Sequence, residues 1–587
     1  MAMMAAAFCV ATQADTLALG YNNGRGASGD SPVGFGADGQ PWIESAVYIP
    51  ASTMKTLRGT TFTGIAGWIY TMSEIEDAHV WLRTDLEGED LAAESLAEGA
   101  TLQSGRNDFT LSKPWTVPAD FNEGLYIGFG QRIKSANARG LAVIEDVLLP
   151  GGFFLKKTDG KWYDYSDRAT ACVEAIVEGT LPQVSASLKN VTLPSVYVSG
   201  RGAFTASMLV QNTGSLPLAG MDVTADFGDG ISETVHVDNV IASGLNQYVT
   251  AQFTPTGLKR GTADCSISIS NFTLGEDVNT EDNSMARSME IAETSFLKKV
   301  LVEEFTGEMC GKCPDAIKLI SEMMEERAYR NIVMVSHHAG YLTDFLTTPF
   351  HTEFMDLFGG GSYAPALAVD RAEYKPNIIT FVPDSRETIA KVWDARLAEP
   401  GLVSVNIEAN WDDDEHTIVR VKVYGEKAID TLCDNPVINV FLLESDIQSE
   451  NQTSAPKDFK HNHVSRAVNS RDYWGAELEF DGDTYSYTTR FRLDPAWNKD
   501  NMDIVAFIGN NGNWIQHTVA NTNSLGFDKI LEKGETAVQE VESAVPVLGV
   551  EYYNLQGIRV NNPSGGMFVR KTNFANGTSK TEKVLVK

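Results

Sequence analysis

Residues 300–314 constrain the fold more than any other part of the chain. The segment begins as a hydrophobic strand, passes through a turn and reaches two cysteines separated by two residues, Cys310 and Cys313. Residues 315–328 then carry apolar side chains at helical spacing, and Pro314 is compatible with a first helical turn because its missing N–H is not needed there. We therefore expect Cys310 at a helix N-terminus and Cys313 one turn later on the same face, near enough to form a disulfide.

This arrangement favours dithiol redox chemistry. At a helix N-terminus, unpaired N–H groups and the helix dipole stabilise the thiolate of Cys310 relative to the thiol. Lys312 adds to that stabilisation. The nearby carboxylates oppose it: Glu303, Glu304 and Glu308. The sequence therefore predicts a dithiol site without fixing its redox potential.

The elements after the cysteines alternate between strand and helix. A buried-strand pattern at 332–336 is followed by a helical stretch near 349–358, the dipeptide Ala364-Pro365, a strand at 366–369 and a helix at about 385–397. Strand, helix, strand, helix, X-Pro, strand and helix in this order indicate an α/β unit at 296–400.

This unit resembles the thioredoxin-like domains. In that family an acidic residue lies six positions before the first cysteine, and Glu304 holds this place. A cis-proline faces the disulfide in the family, and Pro365 matches it. The resemblance implies that Cys310 is the attacking thiolate and Cys313 the resolving thiol. It also implies that Glu304 is a buried proton relay and that Pro365 is the wall against which a substrate strand docks. Met309 replaces the family's usual tryptophan, and Gly-Lys replaces Gly-Pro between the cysteines.

Two other interpretations of the cysteines remain open at this point. The pair could be half of a zinc site, whose remaining ligands would have to come from His337, His338, His351, His461 or His463. It could also be a structural disulfide without turnover. We expect neither a metal nor a cofactor beyond the redox-active disulfide. Histidines at strand ends are usually satisfied surface groups, so His337 and His338 are not assigned a catalytic role.

Charge and composition narrow the classes of function. The 587 residues are enough for three to five domains, and the net charge of -31 argues against nucleic-acid partners, which need clustered Lys and Arg. The acidic run at 412–415 is interpreted as a solvated hairpin tip. No run in the sequence is long enough to predict a transmembrane span.

The N-terminal residues predict export. Residues 1–14 have the apolar run and small-residue exit of a signal peptide, and the missing basic start indicates a possible initiation site upstream. An oxidising compartment makes a Cys310–Cys313 disulfide credible. The three other cysteines of the mature chain are interpreted as buried small hydrophobes: Cys172, Cys265 and Cys433.

Two β-modules are expected before the α/β unit at 296–400. Residues 15–180 are similar to the jelly-roll domains of secreted Bacteroidetes proteins, and residues 181–293 resemble bacterial cell-adhesion-related immunoglobulin-like domains. Such modules could bind glycan or host protein. Tryptophans such as Trp42 and Trp115 would take part in that binding if they are exposed, or would belong to the core if they are buried.

The remainder of the chain is also expected to be mostly β. Residues 401–530 alternate as a β-sandwich, with a polar loop at 445–470 that is expected to lie over a neighbouring surface. Together with 296–400 they resemble the outer-membrane-associated thioredoxin-like proteins of Bacteroidetes. A linker at 531–546 leads to residues 547–587, which resemble a C-terminal sorting domain and imply the type IX secretion machinery as a partner. A small β-domain packed on the sandwich is the alternative.

The expected protein is therefore multidomain and mostly β, and it is exported to the cell surface or the medium. Two hypotheses for its function follow. The first is thiol–disulfide exchange on extracytoplasmic proteins. The second is a surface adhesin or binding scaffold in which the cysteines form a structural disulfide.

Overall fold

The computed structural model describes residues 15–26, 42–70, 75–133, 140–348, 351–358, 361–375, 378–470, 474–511, 518–535, 547–553, 559–560, 566–574 and 579–586. Most of the secondary structure in these ranges is β-strand, arranged in many sheets, which confirms the predicted multidomain, mostly β fold class. The chain divides into two compact units, residues 1–293 and 294–587. The expected signal peptide, and the linker from residue 536 onward, lie outside the described residues.

The first unit begins with two sheets around a shared core. Their strand orders are β1-β12-β3-β6 and β10-β9-β2-β7-β4-β5, and β11 pairs with β8. Apolar side chains of both large sheets, such as Ile65 and Ile127, are buried in one cluster. The elements are β1 Asp15–Gly20, β2 Trp42–Ile49, α1 Ala51–Thr56, β3 Thr61–Ile69, β4 Ile75–Arg83, β5 Ala92–Ser95, β6 Gly105–Thr116, β7 Leu125–Ile133, β8 Val143–Ile144, β9 Phe154–Lys156, β10 Trp162–Asp164, β11 Thr170–Ala171 and β12 Val173–Gly179.

A second pair of sheets completes the first unit. The orders are β13-β15-β18 and β14-β20-β19-β16-β17, and Met208 and Ile267 are buried in the core that the two sheets share. The strands are β13 Ala186–Thr192, β14 Val196–Val198, β15 Phe204–Asn212, β16 Leu218–Asp226, β17 Ser232–Ile241, β18 Asn246–Phe253, β19 Gly261–Ser270 and β20 Ser284–Ala292.

The second unit carries the cysteine pair. Its elements through residue 529 are β21 Val300–Phe305, α2 Cys313–Met324, β22 Ile332–His337, β23 Ala366–Val369, β24 Thr380–Phe381, α3 Arg386–Leu397, β25 Asn406–Trp411, β26 Ile418–Glu426, β27 Pro436–Glu444, β28 Ile447–Ser449, β29 Phe459–His461, β30 Val464–Val468, β31 Ala476–Glu477, β32 Thr484–Arg492, β33 Met502–Asn510 and β34 Val519–Gly526, with 3₁₀-helices at Arg327–Tyr329, Glu353–Phe358, Lys499–Asn501 and Phe527–Lys529. The helical stretch expected near 349–358 is thus a shorter 3₁₀-helix.

A nine-stranded sheet runs through most of this unit. Its order is β24-β23-β21-β22-β30-β27-β33-β34, with β31 also paired to β27. β21 and β22 are parallel, and β22 pairs in parallel with β30 where Ser336 meets Val464. The segments expected as separate domains, 296–400 and 401–530, therefore contribute strands to one sheet.

Both faces of this sheet are covered. On one face α2 and α3 bury Ile320 and Trp393 against β21, β22 and β23. Phe354 of a 3₁₀-helix belongs to a separate cluster with Phe305 and Phe441. The sheet β25-β26-β32 shares a third cluster with strands β27 and β33. This packing fixes the end of β21. The chain then enters the turn that carries Cys310, residues 306–312, which we call the cysteine turn.

Several smaller expectations are settled by the fold. Residues 412–415 lie in the turn between β25 and β26, as expected for a hairpin tip. Cys172 and Cys265 are buried free thiols, whereas Cys433 is only half-buried. Trp115 is half-buried and packs against Phe62 and Phe121 at the edge of the core.

The final strands form a small sheet of their own. Its order is β36-β35-β37-β38, with β35 Val547–Tyr553, β36 Arg559–Val560, β37 Gly566–Phe574 and β38 Ser579–Val586. Across the described ranges of the whole chain, no helix has the length and apolar character that crossing a membrane requires.

Candidate functional site

The two cysteines form a disulfide at the start of α2. Their sulfur atoms are 2.03 Å apart and their Cα atoms 5.4 Å apart. The expectation that Cys310 opens the helix is wrong, because α2 begins at Cys313 and Lys312 is its N-cap residue. Pro314, in the first turn, suits a helix starting there. Cys310 instead lies in a turn, where its N–H donates to the carbonyl of Gly307 at 3.0 Å.

Both cysteines are enclosed by protein. Cys310 is 3% exposed and Cys313 is fully buried, although Gly311 and Lys312 between them are exposed. Part of the enclosure comes from the hairpin β28–β29 and the loop that joins its strands, residues 447–461. We refer to this segment as the covering hairpin. It belongs to the loop at 445–470 that was expected to lie over a neighbouring surface.

The covering hairpin holds the cysteine turn through hydrogen bonds at Glu308. The Thr453 N–H donates to the carbonyl of Glu308 at 2.8 Å, and the Ser449 hydroxyl donates to the Glu308 carboxylate. Ser454 lies so near Gly311 that a Cβ at Gly311 would come within 3.2 Å of the serine hydroxyl oxygen. The turn between the cysteines is therefore fitted to the segment above it.

Gln452 makes the most direct contact of the covering hairpin with the site. Its side-chain amide donates to the carbonyl of Cys310 at 3.0 Å, and its side chain is buried. A longer contact of 3.5 Å joins the same nitrogen to the carbonyl of Gly307. Gln452 thus ties the hairpin to the turn that carries the first cysteine.

Glu304 lies on β21 and is almost completely buried. The Ser336 hydroxyl on the neighbouring strand β22 donates to its Oε2 at 2.6 Å. Its Oε1 has no hydrogen-bond partner among the described residues. Burial raises the pKa of Glu304 and outweighs the opposing effect of the Ser336 hydrogen bond. A buried carboxyl that keeps its proton to higher pH is suited to proton transfer.

Pro365 immediately precedes β23 and follows a cis peptide bond from Ala364. Ala366 is paired with Phe305 at the end of β21. Pro365 therefore lies at the end of the sheet from which the cysteine turn leaves. The structure therefore places Pro365 at the same end of the sheet as Glu304 and the start of the turn that carries Cys310.

His337 and His338 are not surface groups, which corrects the expectation for histidines at a strand end. Both are fully buried. His337 contacts Glu303 at 3.1 Å, and Arg371 donates twice to the same carboxylate, at 2.7 and 2.8 Å. Although burial acts to raise the pKa of Glu303, Arg371 and His337 hold that pKa well below its usual range. The Glu303 carboxylate is thus paired in the protein interior by Arg371 and His337.

His338 belongs to a second buried group that reaches the cysteine turn. Its Nδ1 lies 2.6 Å from Oδ2 of Asp344, and the same carboxylate oxygen accepts the Glu308 N–H at 2.9 Å. The ring of His461, on the covering hairpin, lies 4.6 Å from the His338 ring between centroids. Burial, together with His338, lowers the pKa of His461 to about 4. Within the described residues, no group of three or more His, Cys, Asp or Glu is arranged to hold a metal ion.

Exposed apolar side chains lie beside the cysteine turn. Met309 is 57% exposed, and Leu342 and Phe345 are 55% and 60% exposed. The loop containing Leu342 lies against the turn, since a Cβ at Gly307 would come within 3.5 Å of the Leu342 carbonyl oxygen. Exposed apolar side chains that lie on adjacent segments, rather than singly, mark contact surfaces, which makes this edge a candidate contact surface.

No local sequence pattern predicted Gln452, Ser449 or Asp344 as parts of the site. Their roles depend on contacts between segments far apart in the chain, such as the 142 residues between Gln452 and Cys310. His461 and His463 were predicted both as possible zinc ligands and as part of the polar loop at 445–470 that lies over a neighbouring surface. The second prediction was the one indication in the sequence that this segment contacts the cysteine turn.

Comparison with known proteins gives one family match. The profile of a family described as Outer membrane protein Omp28 matches residues 378–524, about a quarter of the chain. This match bears out the predicted location at the outer membrane and cell surface. No match was found among curated proteins.

Several solved structures are similar to parts of the chain. HBP35 of Porphyromonas gingivalis is 21% identical over 50% of this chain and 99% of its own, with a TM-score of 0.36. A domain of the outer membrane lipoprotein Omp28 from the same organism is 19% identical over 23% of this chain and 92% of its own, with a TM-score of 0.17. The CARDB domain of the PF1109 protein from Pyrococcus furiosus, in complex with di-metal ions, is 14% identical over 19% of this chain and 96% of its own, with a TM-score of 0.16. These TM-scores are too low to support a structural argument.

Proposed function

We propose that the protein carries out thiol–disulfide exchange on extracytoplasmic proteins, with a thioredoxin-like arrangement at residues 296–400. The observation that carries this proposal is the Cys310–Cys313 disulfide at the start of α2, in the segment that follows β21, the strand that bears the buried acid Glu304. A dithiol needs a nearby resolving cysteine, and a buried acid of raised pKa can exchange a proton with it.

The roles follow from this arrangement. In the reduced protein the Cys310 thiolate attacks a substrate disulfide, and Cys313 then attacks the mixed disulfide and releases the substrate as a thiol. Glu304 exchanges the proton of Cys313, and Pro365 supports the substrate strand. The exposed Met309 favours a polypeptide substrate with apolar residues near its disulfide.

The enclosure of the cysteines adds a condition to this function. Since Cys310 is 3% exposed, a substrate reaches its sulfur only when the cysteine turn or the covering hairpin moves. The hydrogen bond from Gln452 to Cys310 must then lengthen or break. We expect slow exchange in the resting protein and faster exchange when the hairpin is displaced.

A second candidate is a surface binding scaffold with a structural disulfide. The burial of both cysteines favours it. So does the outer face of the sheet β10-β9-β2-β7-β4-β5, where half-buried aromatic and charged side chains alternate: Trp42, Glu44, Tyr48, Arg83, Tyr126, Lys156 and Trp162. Aromatic faces next to charged groups are suited to glycan or host protein. In either case we propose export through the type IX secretion machinery, directed by residues 547–587.

The redox potential of the Cys310–Cys313 pair separates the two functions. Full-length protein is equilibrated in graded glutathione buffers, and the state of each cysteine is measured by thiol trapping and peptide mass spectrometry. A potential between about -120 and -270 mV supports exchange, whereas a value below about -300 mV indicates a structural disulfide.

Variants test the assigned roles directly. Cys310→Ser is expected to abolish disulfide reduction, and Cys313→Ser is expected to accumulate mixed disulfides with substrate. Cys433→Ser, which removes a half-buried free thiol, serves as the matched control. Unchanged turnover in Cys310→Ser contradicts the proposal.

A further inference from the structure

A cavity with both polar and apolar lining lies beneath α2, beside the buried acid of the site. Its volume is about 150 Å³. Ile317 and Ile320 of α2 form part of its apolar lining. The polar lining comes from two distant parts of the chain: Glu304, Thr306 and Ser336 on one side, and His461, Asn462 and His463 on the other.

Three buried polar atoms on this lining have no hydrogen-bond partner among the described residues. They are Oε1 of Glu304, Oγ1 of Thr306 and Nε2 of His461. The three residues are 4%, 1% and 2% exposed. Buried polar groups are almost always paired with protein or ordered water, so three such atoms around one cavity indicate a bound polar ligand.

Water fits this cavity better than an organic ligand. A water molecule occupies about 30 Å³ in the liquid and forms two to four hydrogen bonds when buried, so the cavity has room for a few water molecules. The lining supplies a carboxyl, a hydroxyl and an imidazole nitrogen as partners. Ser321 and Asn462 on the lining are exposed, so the cavity connects the buried acid with the protein surface.

We propose that this cavity holds a hydrogen-bonded chain of water molecules that joins Glu304 to His461, and that His461 is the group with which Glu304 exchanges its proton. The inference extends the proposed exchange function to a residue outside the segment 296–400. It rests on that function only for the direction in which the proton moves.

The proton movement balances with the chemistry of the cysteines. When Cys313 attacks the mixed disulfide, its electron pair forms the bond to Cys310, and the substrate sulfur leaves with the electrons of the broken bond. The proton of the Cys313 thiol passes to the Glu304 carboxylate and then through water to the neutral Nε2 of His461. The imidazolium releases it to solvent at the mouth of the cavity, and the substrate thiolate takes a proton from solvent.

The surrounding charges suit such an exchange. Burial raises the pKa of Glu304, and burial together with His338 lowers the pKa of His461 to about 4. Because the pKa of Glu304 lies above its usual value and that of His461 is about 4, the carboxyl holds the proton more tightly than the imidazole, and an imidazolium formed at His461 releases its proton readily to solvent. Two carboxylates act on the histidines of this region: Asp344, paired with His338, and Asp503, which acts on His463.

The test measures the ionisation of Glu304 in the full-length protein. The infrared band of its protonated carboxyl is assigned by its loss in Glu304→Gln and is followed through a pH titration. His461→Phe keeps an aromatic ring against His338 but removes the nitrogen, and Thr306→Val removes one hydroxyl at nearly constant shape. Both variants are expected to raise the pKa of Glu304 by about one unit, because the carboxylate loses hydrogen-bonded water.

The matched control is His416→Phe, which changes a histidine that does not line the cavity. Its Glu304 titration is expected to equal that of the unmodified protein. An unchanged Glu304 titration in both His461→Phe and Thr306→Val overturns the inference, and the valine variant guards against a general disturbance of the hairpin by phenylalanine.

A kinetic measurement separates this inference from the proposed function. The rate of substrate disulfide reduction is expected to fall about tenfold in His461→Phe and to stay unchanged in His416→Phe. If the full-length protein reduces no disulfide but the Glu304 titration shifts in both cavity variants, the water chain is supported and the exchange function fails. If exchange occurs but neither variant moves the titration, the exchange function stands and the water chain is overturned.

Discussion

The side-chain amide of Gln452 donates a hydrogen bond of 3.0 Å to the backbone carbonyl of Cys310. This contact joins a loop of the covering hairpin to the turn that carries the first cysteine. Both partners are buried, so the bond is shielded from competing water. The accessibility of the disulfide is therefore coupled to the position of a segment remote in sequence.

Gln452→Ala is expected to speed reduction of the disulfide about fivefold. The substitution removes a buried hydrogen bond worth about 1 kcal/mol and leaves space above Cys310, so the enclosed sulfur is reached more often. The measurement is the rate of reduction by a water-soluble phosphine, read by thiol trapping.

Gln448→Ala provides the control for this experiment. Gln448 is an exposed residue of the same hairpin, and its side-chain amide donates to the Lys457 carbonyl instead of the cysteine turn. Equal reduction rates in Gln452→Ala and the unmodified protein would show that the hairpin does not limit access.

Glu304→Gln is expected to stabilise the protein at neutral pH. The pKa of Glu304 is raised in the folded protein, so between the unfolded and folded pKa values only the folded state keeps the proton, and stability falls as pH rises. Glutamine removes this ionisation and still accepts the Ser336 hydrogen bond. Urea unfolding at pH 7.5 and pH 3.5, chosen to bracket the usual pKa of about 4.3, is the measurement.

The expected effect of Glu304→Gln on stability differs between the two pH values. At the higher pH the variant should unfold at higher urea concentration than the unmodified protein, and at the lower pH the difference should nearly vanish. A variant that is less stable at both pH values would contradict the expected ionisation of Glu304.

His461→Phe is expected to reduce the acid sensitivity of the fold. The folded pKa of about 4 lies below the usual value of 6.5, so the unfolded state binds the extra proton between these values, and stability falls as pH drops from 6.5 towards 4. The size of this loss is about 3 kcal/mol for His461 alone. Free energies of unfolding at pH 7 and pH 4 measure it in both proteins.

Buried groups remote from His461 are present in both proteins, and their contributions cancel in the difference between the two pH dependences. The difference therefore reports His461 together with the groups coupled to it, His338 and Glu304. The same drop in stability from pH 7 to pH 4 in both proteins would show that His461 is not held neutral by its surroundings.

Arg371→Met is expected to destabilise the protein by about 3–5 kcal/mol. The change leaves the buried Glu303 carboxylate without its bidentate partner, and an uncompensated buried charge is costly. The double variant Glu303→Met/Arg371→Met removes both charges and should recover much of the loss. Chemical unfolding of the unmodified protein, the two single variants and the double variant gives the coupling energy, and strictly additive losses would argue against a mutually dependent pair.

The regular elements around the site were predictable from local sequence. The apolar runs of β21, β22 and β23 and the helix at 386–397 follow from side-chain periodicity, and Ser385 caps that helix by accepting the Thr388 N–H at 3.2 Å. The disulfide was predictable from the spacing of its cysteines. These features depend on residues close together in the chain.

The enclosure of the site was not predictable in the same way. A polar loop such as 449–454 has no periodicity, and it is held by single hydrogen bonds to backbone atoms of the cysteine turn. The burial of His338 likewise depends on partners supplied by other segments, including Asp344 and His461. The sequence pattern placed the helix start at Cys310 instead of Cys313, because the residues of the turn before Cys313 have the spacing that a helix would have.

Cys310 and Gln452 are separated by 142 residues in the sequence, and this separation has a consequence for the order of events during biosynthesis. A ribosome makes Cys310 and Cys313 long before it makes the covering hairpin. A chain exported with its N-terminus leading would also deliver the cysteines first. Oxidising enzymes would then meet both sulfur atoms in an unfolded chain. Residues 449–454 would fold over the disulfide only after it had formed, and would make it inaccessible to these enzymes.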